Sequence, residues 1–325
     1  MELEPKKVLQ NRWNILRTIF VEWRDKEWWY TGCYDAAGDF YVSWYFVRTQ
    51  LADQFVMSVF DPKAPAPVHM TKKMFTNRKI PPDQLSLNYK CGKTRIAYNG
   101  AFREPFSNSA PPKDPTDGAW KFEIDSKLFQ GELNITPTIP YFTKFDYKIE
   151  DRYGLLHFFH NRATGTIRAN GREYKLNNAL TYYDHCWGRI PSKTGWHWLA
   201  VQNEKVALAS LVNYGAYSQL YTEVFFTNAG TQSPVRNQWV RLDQAVSFEF
   251  LNENKWNQTW RATSPDMDLA VTIFQRKTDR TWIPFLIDLV HTEVYVKASG
   301  VVRVNDQWVE TGDMFGVMEE HKGFW

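Results

Sequence analysis

Cysteine is scarce: Cys33, Cys91 and Cys186 are the only three in 325 residues. They form neither a disulfide framework nor a metal-spaced set, so a reduced cytoplasmic protein without a metal is the expectation. Long apolar runs are missing too. The longest, "WIPFLIDLV" at 282–290, already contains Asp288, whereas a membrane-crossing helix needs ~20 apolar residues. Neither sign of charge dominates. Lys and Arg number 39 against 36 Asp and Glu, and no basic run occurs, which removes the electrostatic basis for nucleic-acid binding. There is no phosphate-cradling glycine loop and no G-x-S-x-G elbow, so nucleotide binding and α/β-hydrolase chemistry have nothing to rest on. The opening "MELEPKKVLQNRWNILRTIF" mixes charges through its first fourteen positions and does not read as a secretory signal, so none is expected.

What the chain has in excess is aromatic surface: 15 Trp, 16 Tyr and 22 Phe, or 16% of all residues. Such side chains suit strands or the wall of a pocket for an apolar ligand. One helix is expected over residues 5–24, where Val8, Trp13, Ile15, Leu16 and Ile19 recur at helical spacing. Beyond it, short apolar or alternating segments such as "DFYVSWYFVRT" (39–49) and "TEVYVKASGVVRV" (292–304) recur at intervals of about 10 residues between turn signals. Asn170-Gly171 and Asn305-Asp306 are placed to make two-residue hairpin turns. "DPKAPAPVH" (61–69) reads as a stiff surface connection. The fold class is all-β, with about seven strands in each half. Two antiparallel barrels are expected, over 1–190 and 191–325.

Chemistry-bearing residues concentrate in a few strands. "TYYDHCWGR" (181–189), if extended, places Tyr183, His185 and Trp187 on one face and Asp184 and Cys186 on the other. His185 is then either an acid–base group between two aromatics in a hollow, or a core histidine satisfied by backbone. Asp184 anchors backbone amides behind that wall. "GWHWLAVQNE" (195–204) alternates Trp196, His197 and Trp198, which puts both indoles on a core or cavity face and His197 in solvent. "LVNYGAYSQLYTEVFF" (211–226) carries Tyr214, Tyr217 and Glu223, the last either exposed or a buried proton donor. In "DKEWWYTGCYD" (25–35), Glu27 beside Trp28 reads as structural, as do Glu319 and Glu320 near the end. "HFFH" (157–160) offers two imidazoles that point to opposite faces of a strand unless a bulge intervenes. His157 and His160 therefore read as a strand end, one or both solvated, rather than a metal pair.

"EWWYTGCY", "GTIRANGREYKLNNALTYYDHCWG", "GWHWLAVQ" and "GVVRVNDQWVETGDMFGVMEE" occur here in the order seen in the carotenoid 1,2-hydratase/AttH-like superfamily, which the chain resembles over most of its length. The resemblance implies two lipocalin-like (calycin) β-barrels. It also implies that His185 and Trp187 look towards an apolar ligand, with Tyr214 at the same site. The acid that members carry two residues further on falls on Ala216, leaving Glu223 as the acid of that run. Where many members have an acid between the two tryptophans, this chain has His197.

The function expected is cofactor-independent hydration, dehydration or cyclisation of an apolar, unsaturated natural product. His185, Tyr214, Glu223 and Asp184 are the acid–base candidates. Trp187, Tyr183, Trp198, Trp196, Trp28, Glu27 and Tyr217 are the candidates for shaping the substrate site. A carrier for a lipid or pigment would use the same pocket without a titratable group in it.

Overall fold

The computed structural model describes residues 25–49, 53–74, 87–91, 93–100, 120–136, 143–146, 153–189, 193–215, 219–227, 239–242, 246–250, 259–283 and 287–324. The helix expected at 5–24 lies outside these. Every regular element among the described residues is a strand, and none is a helix that could cross a membrane.

The chain divides into two compact units, Met1–Val59 with Val68–Pro191, and Phe60–Pro67 with Ser192–Trp325. Strands of the first unit are β1 (Asp25–Asp35), β2 (Phe40–Thr49), β3 (Asp53–Phe60), β4 (Val68–Met74), β5 (Leu87–Cys91), β6 (Thr94–Gly100), β7 (Trp120–Asp125), β8 (Phe129–Thr136), β9 (Thr143–Asp146), β10 (Tyr153–Ala169) and β11 (Arg172–Arg189). They form one antiparallel sheet in the order β4-β3-β2-β1-β11-β10-β8-β7-β6-β5, with β9 beside β10.

That sheet curls. Phe55 on β3 and Phe122 on β7 are six places apart in the strand order, or about 29 Å in a flat sheet at ~4.8 Å per strand. Their ring centroids are 6.2 Å apart. Trp44 on β2 stacks on the same Phe122 at 4.3 Å. Alternation drives this closure. Trp29, Cys33, Val42, Trp44, Phe55, Met57, Phe122, Phe158 and Tyr183 all turn one way and fill a common aromatic core. Burial there pushes the Cys33 thiol up to about 12, so it is an inert packing group.

The second unit holds β12 (Lys193–Gln202), β13 (Val206–Gly215), β14 (Gln219–Phe226), β15 (Trp239–Leu242), β16 (Ser247–Phe250), β17 (Trp260–Ser264), β18 (Met267–Ile283), β19 (Ile287–Val304), β20 (Gln307–Glu310) and β21 (Met314–Phe324). Its order is β15-β14-β13-β12-β21-β19-β18-β17-β16, with β20 beside β19. The plan repeats that of the first unit: the last long strand pairs with the first, and a meander runs outward on each side. The core is aliphatic and methionine-rich, with Leu199, Val201, Leu208, Val224, Val294, Met314 and Met318 around Trp260.

Both two-residue hairpins form as expected. Asn170 and Gly171 take φ of 48° and 82°, and Asn305 and Asp306 take 49° and 61°, as a twist-matched turn requires. The proline-rich segment differs from the expected plain connection. Residues 60–67 belong to the second unit, where the Asp61 N–H donates to Gln275 Oε1 at 2.7 Å. Gln275 Nε2 in turn donates to the Asp61 and Ala64 carbonyls, each at 2.7 Å. The Asp61 carbonyl also accepts from the Ala64 N–H at 2.8 Å, so the side-chain amide adds a second donor there and supplies one to the Ala64 carbonyl, which precedes a proline.

Candidate active site

Strand β11 and its two neighbours assemble the densest polar group of the first unit. Asp184 stands in register between Tyr30 of β1 and His157 of β10. Alternation sends it to the face opposite Tyr183 and the aromatic core, together with Tyr182 two residues before it. The Tyr182 hydroxyl donates to Asp184 Oδ2 at 2.8 Å. Around this pair lie phenols and phenyls. The Tyr30 ring is 5.9 Å from that of Tyr182, Phe159 is 4.5 Å from Tyr182, and His157 is 5.7 Å from Phe159. The Tyr30 and Tyr41 hydroxyls meet at 3.2 Å. All of these side chains are buried.

The electrostatic consequence falls on Asp184. Burial raises its pKa from 3.8 to about 7, and the Tyr182 hydrogen bond offsets part of that rise. The other carboxyl oxygen, Oδ1, has no hydrogen-bond partner among the described residues. A carboxyl with one oxygen held by a phenol and its pKa near neutrality can both give and accept a proton.

His157 and His160 correct an expectation. They lie within the seventeen-residue β10 rather than at a strand end, and both are buried. The register shifts between Phe158 and Asn161, and His160 takes φ 60°, so the strand carries the bulge that had been left open. It assembles no metal site: among the described residues no three His, Cys, Asp or Glu side chains are placed to hold an ion.

No family model matches the chain, and no curated protein matches it. Solved structures do. Kievitone hydratase from Nectria haematococca superposes with a TM-score of 0.62 at 10% identity, over 91% of this chain and 88% of that one. A putative AttH from Nitrosomonas europaea gives 0.62 at 15% identity, over 91% and 92%. CghA crystallised with Sch210972 gives 0.55 at 9% identity, over 93% and 89%. The chain has their fold. At such identities the likeness establishes two lipocalin-like domains, as the motifs had implied, and leaves the site to be argued from its own residues.

The expected site residues are distributed as follows. Asp184 is buried at the centre of the cluster described, but its partner is a phenol on its own strand rather than backbone amides. Tyr183 is not on a cavity wall. It is fully buried in the core, its ring 5.0 Å from Trp120 and 5.6 Å from Phe158, because an aromatic of that size fills the space the curled sheet leaves. Trp28 is half-buried, one position from the core residue Trp29. The backbones of Glu27, His185 and Trp187 lie on β1 and β11, with His185 in register with Trp29 and Leu156 and Trp187 with Glu27 and Gly154; their side chains lie outside the described ones. The Tyr214 backbone pairs with Gly195, its side chain likewise outside, and Tyr217 lies outside the described residues altogether. Glu223 is buried on β14, facing away from the second core.

The orientation expected for β12 is reversed. Leu199 and Val201 belong to the core, so His197 shares their face and Trp196 and Trp198 take the other. There Trp196 stacks on His321 at 3.8 Å, and Trp198 is buried. The three-residue alternation was right in period and wrong in phase, because two indoles outweigh one imidazole on any hydrophobicity count. Sequence reasoning also missed Tyr182, Tyr30 and His157 as neighbours of Asp184. Alternation alone could have found the first; the other two needed strand register.

Proposed function

We propose that the protein is an enzyme that hydrates, dehydrates or cyclises an apolar, unsaturated natural product, using the Asp184 carboxyl as its acid. The observation that carries this reading is that carboxyl, buried among Tyr30, Tyr182, Phe159 and His157 with a single phenol hydrogen bond. In the hydration direction, the protonated carboxyl transfers its proton to one alkene carbon and becomes a carboxylate. The adjacent carbon becomes cationic, and the π-faces of Tyr30 and Tyr182 stabilise it. Water adds there and returns a proton to the carboxylate. For cyclisation an internal double bond or hydroxyl takes the place of water. His157 stands across from Asp184 to hold a hydroxyl or carbonyl of the guest. The fold that this chain shares with kievitone hydratase supports a hydratase-type reading as one chemistry carried on this scaffold.

The test is turnover of a panel of polyenes, terpenoids and polyketides, read by mass for a product heavier by one water or unchanged in mass. Asp184→Asn is expected to lower kcat by ~10²–10⁴, the range for loss of a general acid. Tyr182→Phe is expected to have a smaller effect. With the acid required in its protonated form, kcat/KM falls as pH rises through about 7. Wild-type turnover by D184N would end the proposal, and tight binding with no turnover by any variant or wild type would favour a carrier.

A further inference from the structure

The interior of the second sheet changes character along its strands. Its deep end is the aliphatic core, sealed around Trp260. Towards the other end, the same inward face carries Ser210, Thr222, Thr292, His197 and Glu320. His197 Nε2 lies 3.3 Å from Glu320 Oε1, with only 16% and 10% of these side chains exposed. Hydroxyls pair across neighbouring strands, Ser210 with Thr222 and Thr278 with Thr292, each at 3.0 Å. The imidazole also spans the curl. Its ring is 5.6 Å from Phe248 on β16, five strands away in the sheet order, and 6.4 Å from Trp260, both edge-on. Phe248 and His197 are partly open, Trp260 beneath them is closed, and the exposed Lys322 pairs with Glu320 from the rim.

We infer that this end of the second unit is a binding site for a small molecule with an aromatic or alicyclic body and a hydroxyl head. The His197–Glu320 pair takes the head, and Phe248 takes the body above the closed core at Trp260. A purely structural end to a core gains little from a carboxylate and an imidazole turned inward, since even a paired buried charge is often no more stabilising than apolar side chains of similar volume. The pair also suits a hydroxyl in particular: the carboxylate accepts its proton, and an imidazole can donate or accept according to tautomer. This site is in the second unit and does not depend on the role assigned to Asp184.

The probes are p-cresol and toluene, which differ by one hydroxyl. In the full chain with ¹⁵N-labelled histidine, p-cresol is expected to shift the His197 ring signals saturably. Toluene is expected to bind about tenfold more weakly, the ratio that one net hydrogen bond supplies. His197→Phe, which keeps the bulk of the ring, is expected to abolish the preference of p-cresol over toluene, while D184N leaves the p-cresol response unchanged. Should H197F fail to fold, the wild-type comparison decides by itself. His197 signals unmoved by p-cresol up to its solubility limit, or equal affinity for the two probes, would overturn the site.

Discussion

The two units share one strand plan and treat charge buried on the face opposite their cores in opposite ways. On the first sheet that face holds Asp184 with a phenol as its hydrogen-bond donor, and burial moves its pKa to about 7. On the second it holds Lys277, whose ammonium lies 2.9 Å from Glu293 and 3.2 Å from Asp279, with the Lys277 and Glu293 side chains almost wholly buried. An ion pair of that kind holds together charges that would otherwise be intolerable in the interior. A carboxyl met only by a neutral donor is under no such constraint, and its proton is available near neutral pH. On the function proposed, the first sheet's outer face carries chemistry and the second's architecture.

The largest expected effect tests the architectural half. Lys277→Met leaves the fully buried Glu293 without its counter-charge, which typically costs ~3–5 kcal/mol. Amide hydrogen exchange is expected to accelerate in β18 and β19 and to leave β1, β2 and β11 unchanged. Exchange that rises equally in both sheets would mean that the two faces are energetically one, and the contrast would fail. Replacing Lys277 and Glu293 together, by Met and Leu, is expected to recover much of the loss.

The two units are also expected to respond to pH with opposite signs. The folded pKa of Asp184 is raised, so its contribution to stability is complete below the ordinary value of 3.8 and is lost as pH rises to about 7. At ~1.4 kcal/mol per pH unit this amounts to roughly 4 kcal/mol. His291 runs the other way. Burial, with Lys277 nearby, lowers it from 6.5 to about 4, Glu293 and Asp279 opposing. Its contribution is complete above 6.5 and is lost as pH falls towards 4, roughly 3 kcal/mol on the same scale. Exchange protection, corrected for intrinsic rates, is expected to fall from pH 5 to 7 in β11 and to rise in β19. D184N flattens the first trend and His291→Gln the second. One common curve for both sheets would break the comparison.

Much of the first site could be read from the chain once register was known. The Asn170-Gly171 turn sets it: counting outward from Ala169 opposite Arg172, each step back on β10 against a step forward on β11 arrives at His157 opposite Asp184. Two register shifts intervene, one on each strand, and cancel. Tyr30 was beyond reach, because β1 and β11 are joined by no local turn, and pairing over that separation is set by the core that forms when the sheet curls. The all-β class, both hairpins and the alternation of "TYYDHCWGR" were legible because period and turn chemistry are local. The phase of β12 was not, since which face of an amphipathic strand is buried depends on where the last strand docks. Here β21 brings Glu320 opposite His197.

The smallest effect concerns the phenols beside Asp184. Gly32 lies on β1 between Tyr30 and Tyr34, and a Cβ added there would fall on the Tyr41 hydroxyl. The tyrosine ring thus occupies the space that the missing side chain leaves, which offsets the poor strand propensity of glycine. Gly32→Ala must push Tyr41 aside and break its contact with the Tyr30 hydroxyl, at a cost of ~1–3 kcal/mol for overpacking. If the phenols only pack, stability falls and the pH at which activity halves stays near 7. If they set the polarity around the acid, loosening them admits water, lowers the Asp184 pKa and moves that midpoint down. A downward shift in the kcat/KM profile of G32A, larger than in Tyr41→Phe, is the expected result, because deleting one hydroxyl leaves the ring in place whereas displacing the ring opens the site.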